Sequence, residues 1–247
     1  MTLQWKMTSL TFAMITTVRM ITILSTKEKT FRKMNIVYPD MSDCFLGQFN
    51  ISTKIGCGVQ CLQWDDCSLF CLTGGGCELY NARVSWHYTG VGGSSGTPTM
   101  CYSSWGSVRE AAHLATITGS SAIKGTNVYM PVNGFYCITM YSECYLSDNV
   151  PEPFWMADLG ALHRITSVRV QIRKNQTLGV RFSNVEARVG NSTTIPNNLL
   201  LGFFPGPASQ RQVVTFTANT FITGSVVSLQ SFSPDYFSVC SVHILYV

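Results

Sequence analysis

Ten cysteines are the residues of this 247-residue chain whose type and spacing suggest chemistry most directly. Cys57 and Cys61 are separated by three residues, as are Cys67 and Cys71, and zinc ligands often have this spacing. However, no paired histidines accompany them, and the surplus of cysteines favours disulfides. Glycosylation sequons agree with an oxidising compartment, and they begin at Asn50, Asn175 and Asn191. We therefore expect disulfides, no metal site, and an extracellular, secreted protein.

The sequence gives little support to catalysis. It has 4 histidines and 13 acidic residues but no zinc-protease, phosphate-binding or dinucleotide-binding motif. A G-x-S-x-G match at Gly92, Ser94 and Gly96 lies in polar, glycine-rich chain, whereas a nucleophile elbow requires a strand before the serine and a helix after it. Cysteines held in disulfides supply no thiolate. We therefore expect that the protein is not an enzyme.

The composition and charge indicate a turn-rich β-protein. Only 12% of the residues are charged, and the formal net charge is +4. The sole basic cluster, at residues 27–33, is too small for a nucleic-acid-binding face, so we expect no nucleic-acid partner.

Two segments in the C-terminal half alternate between apolar and polar residues, and the strands that they predict would position any site there. Apolar residues occupy every second position of residues 168–172 and again of residues 185–189. This period of two predicts strands with one buried and one solvated face.

Three separated motifs around these segments carry a family resemblance. They are Ala115-Thr-Ile-Thr-Gly-Ser-Ser121, Pro153-Phe-Trp-Met-Ala-Asp-Leu-Gly160 and Phe237-Ser-Val-Cys240-Ser-Val-His-Ile. In this order they resemble the discoidin-like domains of coagulation factors and, more closely, the fucolectins. The resemblance implies an antiparallel β-sandwich (jelly roll) at residues 108–247 that binds ligands and does not catalyse.

The resemblance also implies a carbohydrate site, with some of its residues missing. The family's two sugar-binding arginines fall on Arg181 and on Lys174, with Arg173 one residue away. Residues 137–153, where the family has a sugar-binding histidine, contain none. Thr177-Leu178 replaces the family's adjacent cysteines. We therefore expect any carbohydrate binding to depend on Lys174 and Arg181.

A calcium site is possible from the resemblance, but its ligand pattern is incomplete. The family's Asp-Gly is Asn133-Gly134 here, and Ser241 replaces an acidic residue, whereas calcium usually binds carboxylates. A glycan on Asn175 would also cover the predicted sugar-binding loop. We expect no cofactor.

The cysteine-rich segment from Gly56 to Tyr80 resembles the PAN/apple fold, a helix disulfide-bonded across a small antiparallel sheet. The resemblance covers residues 42–103 and implies a small α+β module. It predicts a helix near Cys57–Asp66 and two strands joined by the glycines at 74–76. The protein would then be mainly β, with this module preceding the jelly roll.

Residues 1–26 resemble an imperfect signal peptide. Leu10 to Leu24 is apolar-rich, but Arg19 interrupts it and no clean cleavage site follows. The alternatives are an uncleaved anchor, in which case alone we expect a membrane partner, and a start codon placed too early.

The two resemblances imply a disulfide pattern. Cys44 would bond to Cys101, joining the first and last strands of the apple-like sheet. The helix cysteines Cys57 and Cys61 would bond to two of Cys67, Cys71 and Cys77. In the jelly roll, Cys144 would bond to Cys240. Cys137 and one N-terminal cysteine would remain, and we favour a bridge between the two halves over two free thiols.

The sequence therefore predicts a secreted, non-enzymatic recognition protein that binds glycans or extracellular proteins through a lectin-like jelly roll. The alternative is a structural or adhesion protein whose jelly roll has lost sugar binding.

Overall fold

A computed structural model describes residues 4–9, 27–36, 41–88, 99–137, 144–173 and 181–247. The chain divides into two compact units, Met1–Trp105 and Gly106–Val247. Both are built mainly from antiparallel strands, which confirms the predicted fold class. In the described part of the chain, no helix is long and apolar enough to span a membrane.

The N-terminal unit contains an antiparallel sheet with the strand order β1-β2-β7-β4-β5-β3. Its strands are β1 (Gln4–Ser9), β2 (Lys27–Ile36), β3 (Phe45–Phe49), β4 (Leu69–Thr73), β5 (Gly76–Tyr80) and β7 (Thr99–Ser103), and β6 (Arg83–Val84) lies outside this sheet. The sheet includes residues before position 42, where the apple-like module was predicted to begin. Residues 10–26, which contain most of the predicted signal or anchor, lie outside the described residues.

One α-helix, α1 (Lys54–Gln63), is described in this unit. It begins earlier than predicted because the hydroxyl of Thr53 caps it, accepting a hydrogen bond from the Gly56 N–H at 3.2 Å. Its buried face includes Cys57, Cys61 and Leu62. The predicted turn between the next two strands is also present, with β4 ending at Thr73 and β5 beginning at Gly76.

Disulfides connect the elements of the N-terminal unit. Both helix cysteines bond as the resemblance implied, Cys57 to Cys77 and Cys61 to Cys67. The predicted Cys44–Cys101 bond is wrong, because Cys101 bonds to Cys71. These two residues lie directly opposite each other in the β4–β7 pair, so the strand register selects them. None of the ten cysteines is free.

The C-terminal unit is organised around two long antiparallel strands, β11 (Phe154–Gln171) and β14 (Val213–Ser231). The other strands are β8 (Thr116–Gly119), β9 (Phe135–Tyr136), β10 (Tyr145–Leu146), β12 (Val185–Gly190), β13 (Leu199–Phe204), β15 (Ser238–Val239) and β16 (Ser241–Tyr246). The first part of β11 pairs with β8, and the second part pairs with β16. The register between β11 and β14 shifts after Asp158 and again after Ile165, which separates these two parts.

Most buried residues of these strands form one large hydrophobic core, whereas Met156 and Val226 belong to a smaller cluster. Val168, Val170 and Ile172 of the first alternating segment are buried, as are Val185, Ala187 and Val189 of the second. Trp155, Phe182 and Phe237 fill the core between them. The alternation therefore marks the inward faces of an antiparallel β-sandwich, as predicted. Cys144 bonds to Cys240 in this unit, which is the pairing that the resemblance implied.

Strand β13 is the last strand at one edge of the main sheet in this unit. It pairs with β12 on one side. Its sequence, Leu-Leu-Leu-Gly-Phe-Phe, contains no charge or proline, and Leu199, Leu200 and Phe203 are exposed. The C-terminal unit thus has an apolar, uncharged edge strand.

Candidate functional site

The predicted sugar-binding residues belong to the loops that join β11, β12 and β14. Arg173 lies just beyond the end of β11, Arg181 precedes β12, and Arg211 precedes β14. Lys174 and Asn175 fall in residues 174–180, outside the described residues. The structure therefore describes only Arg181 of the predicted pair, together with the neighbouring Arg173.

Backbone hydrogen bonds bring these loops together. The Arg211 N–H donates to the carbonyl oxygen of Arg173 at 3.1 Å. The Ala208 N–H donates to Phe182 O, also at 3.1 Å, and Asn184 N–H donates to Pro205 O. The loop between β13 and β14 therefore contacts both the end of β11 and the segment before β12. We call residues 173, 181–184, 205–211 and 232–237 the arginine loop cluster.

Gly206 makes one of these close approaches possible. Its φ is +69°, in the left-handed region that favours glycine. A Cβ added there would lie 2.6 Å from Ser183 Cα and 2.9 Å from Phe182 O. A larger residue at this position would push the segment that carries Arg181 away.

The side chain of Arg181 lies over an aromatic ring. Its guanidinium carbon is 4.9 Å from the centroid of the Tyr236 ring, a cation–π arrangement. The adjacent residues anchor both partners, because the rings of Phe182 and Phe237 stack in the core with centroids 5.8 Å apart. Two half-buried side chains are thus held at the surface by buried neighbours.

Arg173 is affected electrostatically by the neighbouring arginine of the cluster. Burial lowers the pKa of the Arg173 guanidinium, the positive charge of Arg181 lowers it further, and Tyr136 acts in the opposite direction. The cluster therefore brings two positive charges into proximity.

Sequence reasoning missed Tyr236, which contributes the aromatic ring of the cluster. Tyr236 is 55 positions beyond Arg181, and it lies in no alternating pattern or motif. Only the buried Phe237, within the closing motif of the family, gives an indirect signal that a neighbouring side chain would lie at the surface.

The positions expected for calcium offer few hard ligands. Asn133 Oδ1 accepts a hydrogen bond from Phe135 N–H at 2.9 Å, and Ser241 is buried in β16. Neither residue supplies a carboxylate, which calcium usually requires. These contacts add nothing to the incomplete pattern in the sequence.

Comparisons with known proteins give distant structural likenesses. No protein-family model matches the chain, and no curated protein matches it. A serum fucolectin from striped bass (Morone saxatilis) is similar, with 21% identity over 62% of this chain and 55% of that chain, at a TM-score of 0.49. This chain therefore spans about half the length of the fucolectin.

Two further solved structures are similar over nearly their whole length. The lectin domain of lectinolysin, complexed with Lewis b antigen, has 16% identity over 57% of this chain and 98% of that chain, at a TM-score of 0.48. The family 32 carbohydrate-binding module of Clostridium perfringens NanJ, complexed with galactose, has 12% identity over 55% of this chain and 97% of that chain, at a TM-score of 0.43. TM-scores below 0.5 do not identify binding residues in this chain. These comparisons do not support the apple-like resemblance, which stays a prediction.

Proposed function

We propose that the C-terminal unit recognises glycans through Arg181, and that the protein acts outside the cell without catalysing a reaction. The observation that carries the proposal is the Arg181 guanidinium held 4.9 Å from the Tyr236 ring centroid. A guanidinium donates directed hydrogen bonds to oxygen atoms, and an aromatic ring presents an apolar surface. Together they suit a sugar, which has polar edges and apolar faces. Lys174 is a second proposed contact, on sequence grounds alone.

The oxidation state of the cysteines supports an extracellular location. None of the ten is free, and disulfides persist mainly in oxidising compartments. Asn50 and Asn191, which begin two of the sequons, are exposed. Asn175 lies outside the described residues, so the case for its glycan rests on the sequence.

The competing proposal is a structural or adhesion protein that contacts extracellular proteins. The absence of a histidine in residues 137–153 favours this proposal, because the fucolectins, which the chain resembles, use a histidine there to bind sugar. Binding measurements decide between the two proposals.

A glycan array with the disulfide-bonded protein tests the proposed function. We expect binding that survives EDTA, because the calcium ligand pattern lacks carboxylates. Replacing Arg181 with Ala should raise the dissociation constant about 10- to 150-fold. This corresponds to a loss of about 1.5–3 kcal/mol of binding free energy, as for hydrogen bonds from a charged group.

A matched control is Arg169→Ala, because Arg169 is an exposed arginine of β11 in the same unit. This variant should bind as the unchanged protein does. Equal binding by Arg181→Ala would show that the site lies elsewhere. If the unchanged protein bound no glycan at all, the structural or adhesion role would replace the proposed function.

A further inference from the structure

The arginine loop cluster exposes a second aromatic side chain besides Tyr236. Phe232 begins the segment 232–237 of the cluster, and its side chain is 44% exposed. Phe237, which ends the same segment, is completely buried in the core. The segment thus anchors one phenylalanine in the core and leaves the other at the surface, where contact with a ligand would remove apolar area from water.

Two contacts hold the segment that carries Phe232 beside the segment that carries Arg181. The Phe232 N–H donates a hydrogen bond to the carbonyl oxygen of Asn184 at 2.9 Å. Further along, the Tyr236 ring centroid lies 4.9 Å from the guanidinium carbon of Arg181. Because Asn184 is three residues after Arg181, the chain between these two contacts spans at most about 11 Å. The backbone of Phe232 is therefore within reach of a short oligosaccharide held at Arg181.

Asn184 places a polar side chain next to Phe232. The residue is exposed, and its φ is +49°, a left-handed conformation that few residues other than glycine adopt. Of the three described non-glycine residues with positive φ, Asn184 and Arg211 belong to the arginine loop cluster. Such conformations persist where the surrounding structure holds them, and they are concentrated at ligand-binding sites. The backbone of Asn184 is thus held in a fixed, uncommon conformation at the edge of the cluster.

An aromatic ring beside an amide matches the chemistry of a neutral sugar unit. The C–H groups of a sugar ring form an apolar face, which packs well on the face of an aromatic side chain. The amide of Asn184 both donates and accepts hydrogen bonds, as a sugar hydroxyl does. Neither Phe232 nor Asn184 carries a charge, so the pair complements the guanidinium of Arg181 and does not duplicate it.

From these observations we propose that Phe232 and Asn184 form a second sugar-binding subsite beside the Arg181–Tyr236 pair. The arginine loop cluster then binds an oligosaccharide and not a single terminal sugar. This inference rests on the proposed glycan-binding function and extends its ligand to at least two linked sugars. Phe232 packs against the apolar face of the second sugar, and Asn184 bonds to its hydroxyl groups.

The test compares each oligosaccharide bound on a glycan array with the methyl glycoside of its terminal sugar. Titration calorimetry measures both affinities, by competition where the methyl glycoside binds weakly. We expect the oligosaccharide to bind at least about tenfold more tightly, as for one additional aromatic contact and hydrogen bond. Phe232→Ala should remove most of this difference and leave the affinity for the methyl glycoside unchanged.

Asn184→Gly tests the amide separately, because glycine accepts the φ of +49° without strain. It should weaken oligosaccharide binding about 2- to 10-fold, as for a neutral hydrogen bond, and leave binding of the methyl glycoside unchanged. Phe232→Trp keeps an aromatic ring and should retain the preference for the oligosaccharide. These two variants keep the test decisive if thermal unfolding shows that Phe232→Ala is not folded.

A matched control is Phe221→Ala. Phe221 is 42% exposed in the same unit, but it lies in β14, outside the arginine loop cluster. This variant should bind the oligosaccharide and the methyl glycoside as the unchanged protein does. An equal loss of oligosaccharide binding in Phe221→Ala and Phe232→Ala would count against a specific subsite.

The outcomes distinguish this inference from the proposed function. Equal affinities for the oligosaccharide and the methyl glycoside would overturn the inference and leave glycan recognition in place. A folded Phe232→Ala that weakened both ligands by the same factor would also overturn it, since Phe232 would then support the first sugar alone. Binding to no glycan would overturn both the inference and the proposed function.

Discussion

Glu110 is a buried carboxylate whose bonds maintain its charge. Its Oε1 accepts from Ala112 N–H at 2.6 Å and from Ile244 N–H at 3.3 Å, and its Oε2 is 3.1 Å from His113 Nδ1. Burial alone raises the pKa of Glu110, but the bond to His113, the electrostatic interaction with His243 and the Ala112 N–H outweigh it, so the pKa lies below its usual 4.5. The ionised form is therefore favoured in the folded protein.

This low pKa predicts a loss of stability in acid. Because the pKa of Glu110 is lower in the folded state, its contribution is complete above about pH 4.5 and disappears as the pH falls through the folded-state pKa. Glu110→Gln should cost about 1–2 kcal/mol of unfolding free energy at pH 7 and less at acidic pH. Guanidinium denaturation at several pH values measures this difference.

The exposed Glu152 provides the control for this experiment. Glu152→Gln should leave the pH dependence of the unfolding free energy almost unchanged. If Glu110→Gln destabilised the protein by the same amount at every pH, the ionisation of Glu110 would not be responsible.

At the scale of elements, the loop between β13 and β14 supports the segment that carries Arg181. Gly206→Ala should lower the unfolding free energy by about 1–3 kcal/mol, because alanine is strained at a φ of +69° and its Cβ would overlap Ser183. It should also weaken glycan binding, since the displaced loop contacts Phe182 beside Arg181. Thermal unfolding and array binding measure the two effects.

Gly74→Ala is the matched substitution, because a Cβ at Gly74 would meet no atom within 4 Å. Gly74→Ala should change neither the unfolding free energy nor glycan binding substantially. Unchanged stability of Gly206→Ala would mean that the loop adjusts without strain.

The strands could be predicted from the sequence wherever their residues alternate, but the pairing of distant segments could not. Val168 and Val170 of β11, like Val185 of β12, follow a local period of two that directly reflects one buried face. The bond between Cys71 and Cys101 depends on which strand lies beside β4, and nothing local encodes that choice. The same limitation hid Tyr236, since its contact with Arg181 depends on two loops that meet only in the folded chain.

At the scale of the whole molecule, the two units differ in what holds them together. The N-terminal core combines a few large side chains, such as Phe70 and Leu79, with the disulfide-bonded Cys57, Cys61, Cys67 and Cys77. The C-terminal unit has a larger continuous core contributed by most of its strands. A small hydrophobic core rarely keeps a domain folded without disulfides, whereas a larger core can keep a domain folded without them.

This difference predicts the order in which the units lose structure under reducing conditions. Each disulfide typically contributes about 2–4 kcal/mol, so reduction should expose residues 41–105 to proteases before residues 106–247. Limited proteolysis with and without dithiothreitol, followed by mass spectrometry, identifies the first cleavage sites. Early cleavage inside β11 or β14 would contradict this order.

The uncharged edge strand β13 has a practical consequence for handling the protein. An open edge without lysine or proline favours strand pairing between molecules, and exposed Leu199, Leu200 and Phe203 add apolar contact area. We expect limited solubility, with reversible self-association that increases with protein concentration in analytical ultracentrifugation. Leu200→Lys should shift this association to higher concentration, whereas the same substitution at the exposed Leu162, outside this strand, should have less effect. Aggregation during purification would then originate at β13, whose end at Phe204 leads into the loop that contacts the segment carrying Arg181, so Leu200, near the start of the strand, is the position to substitute.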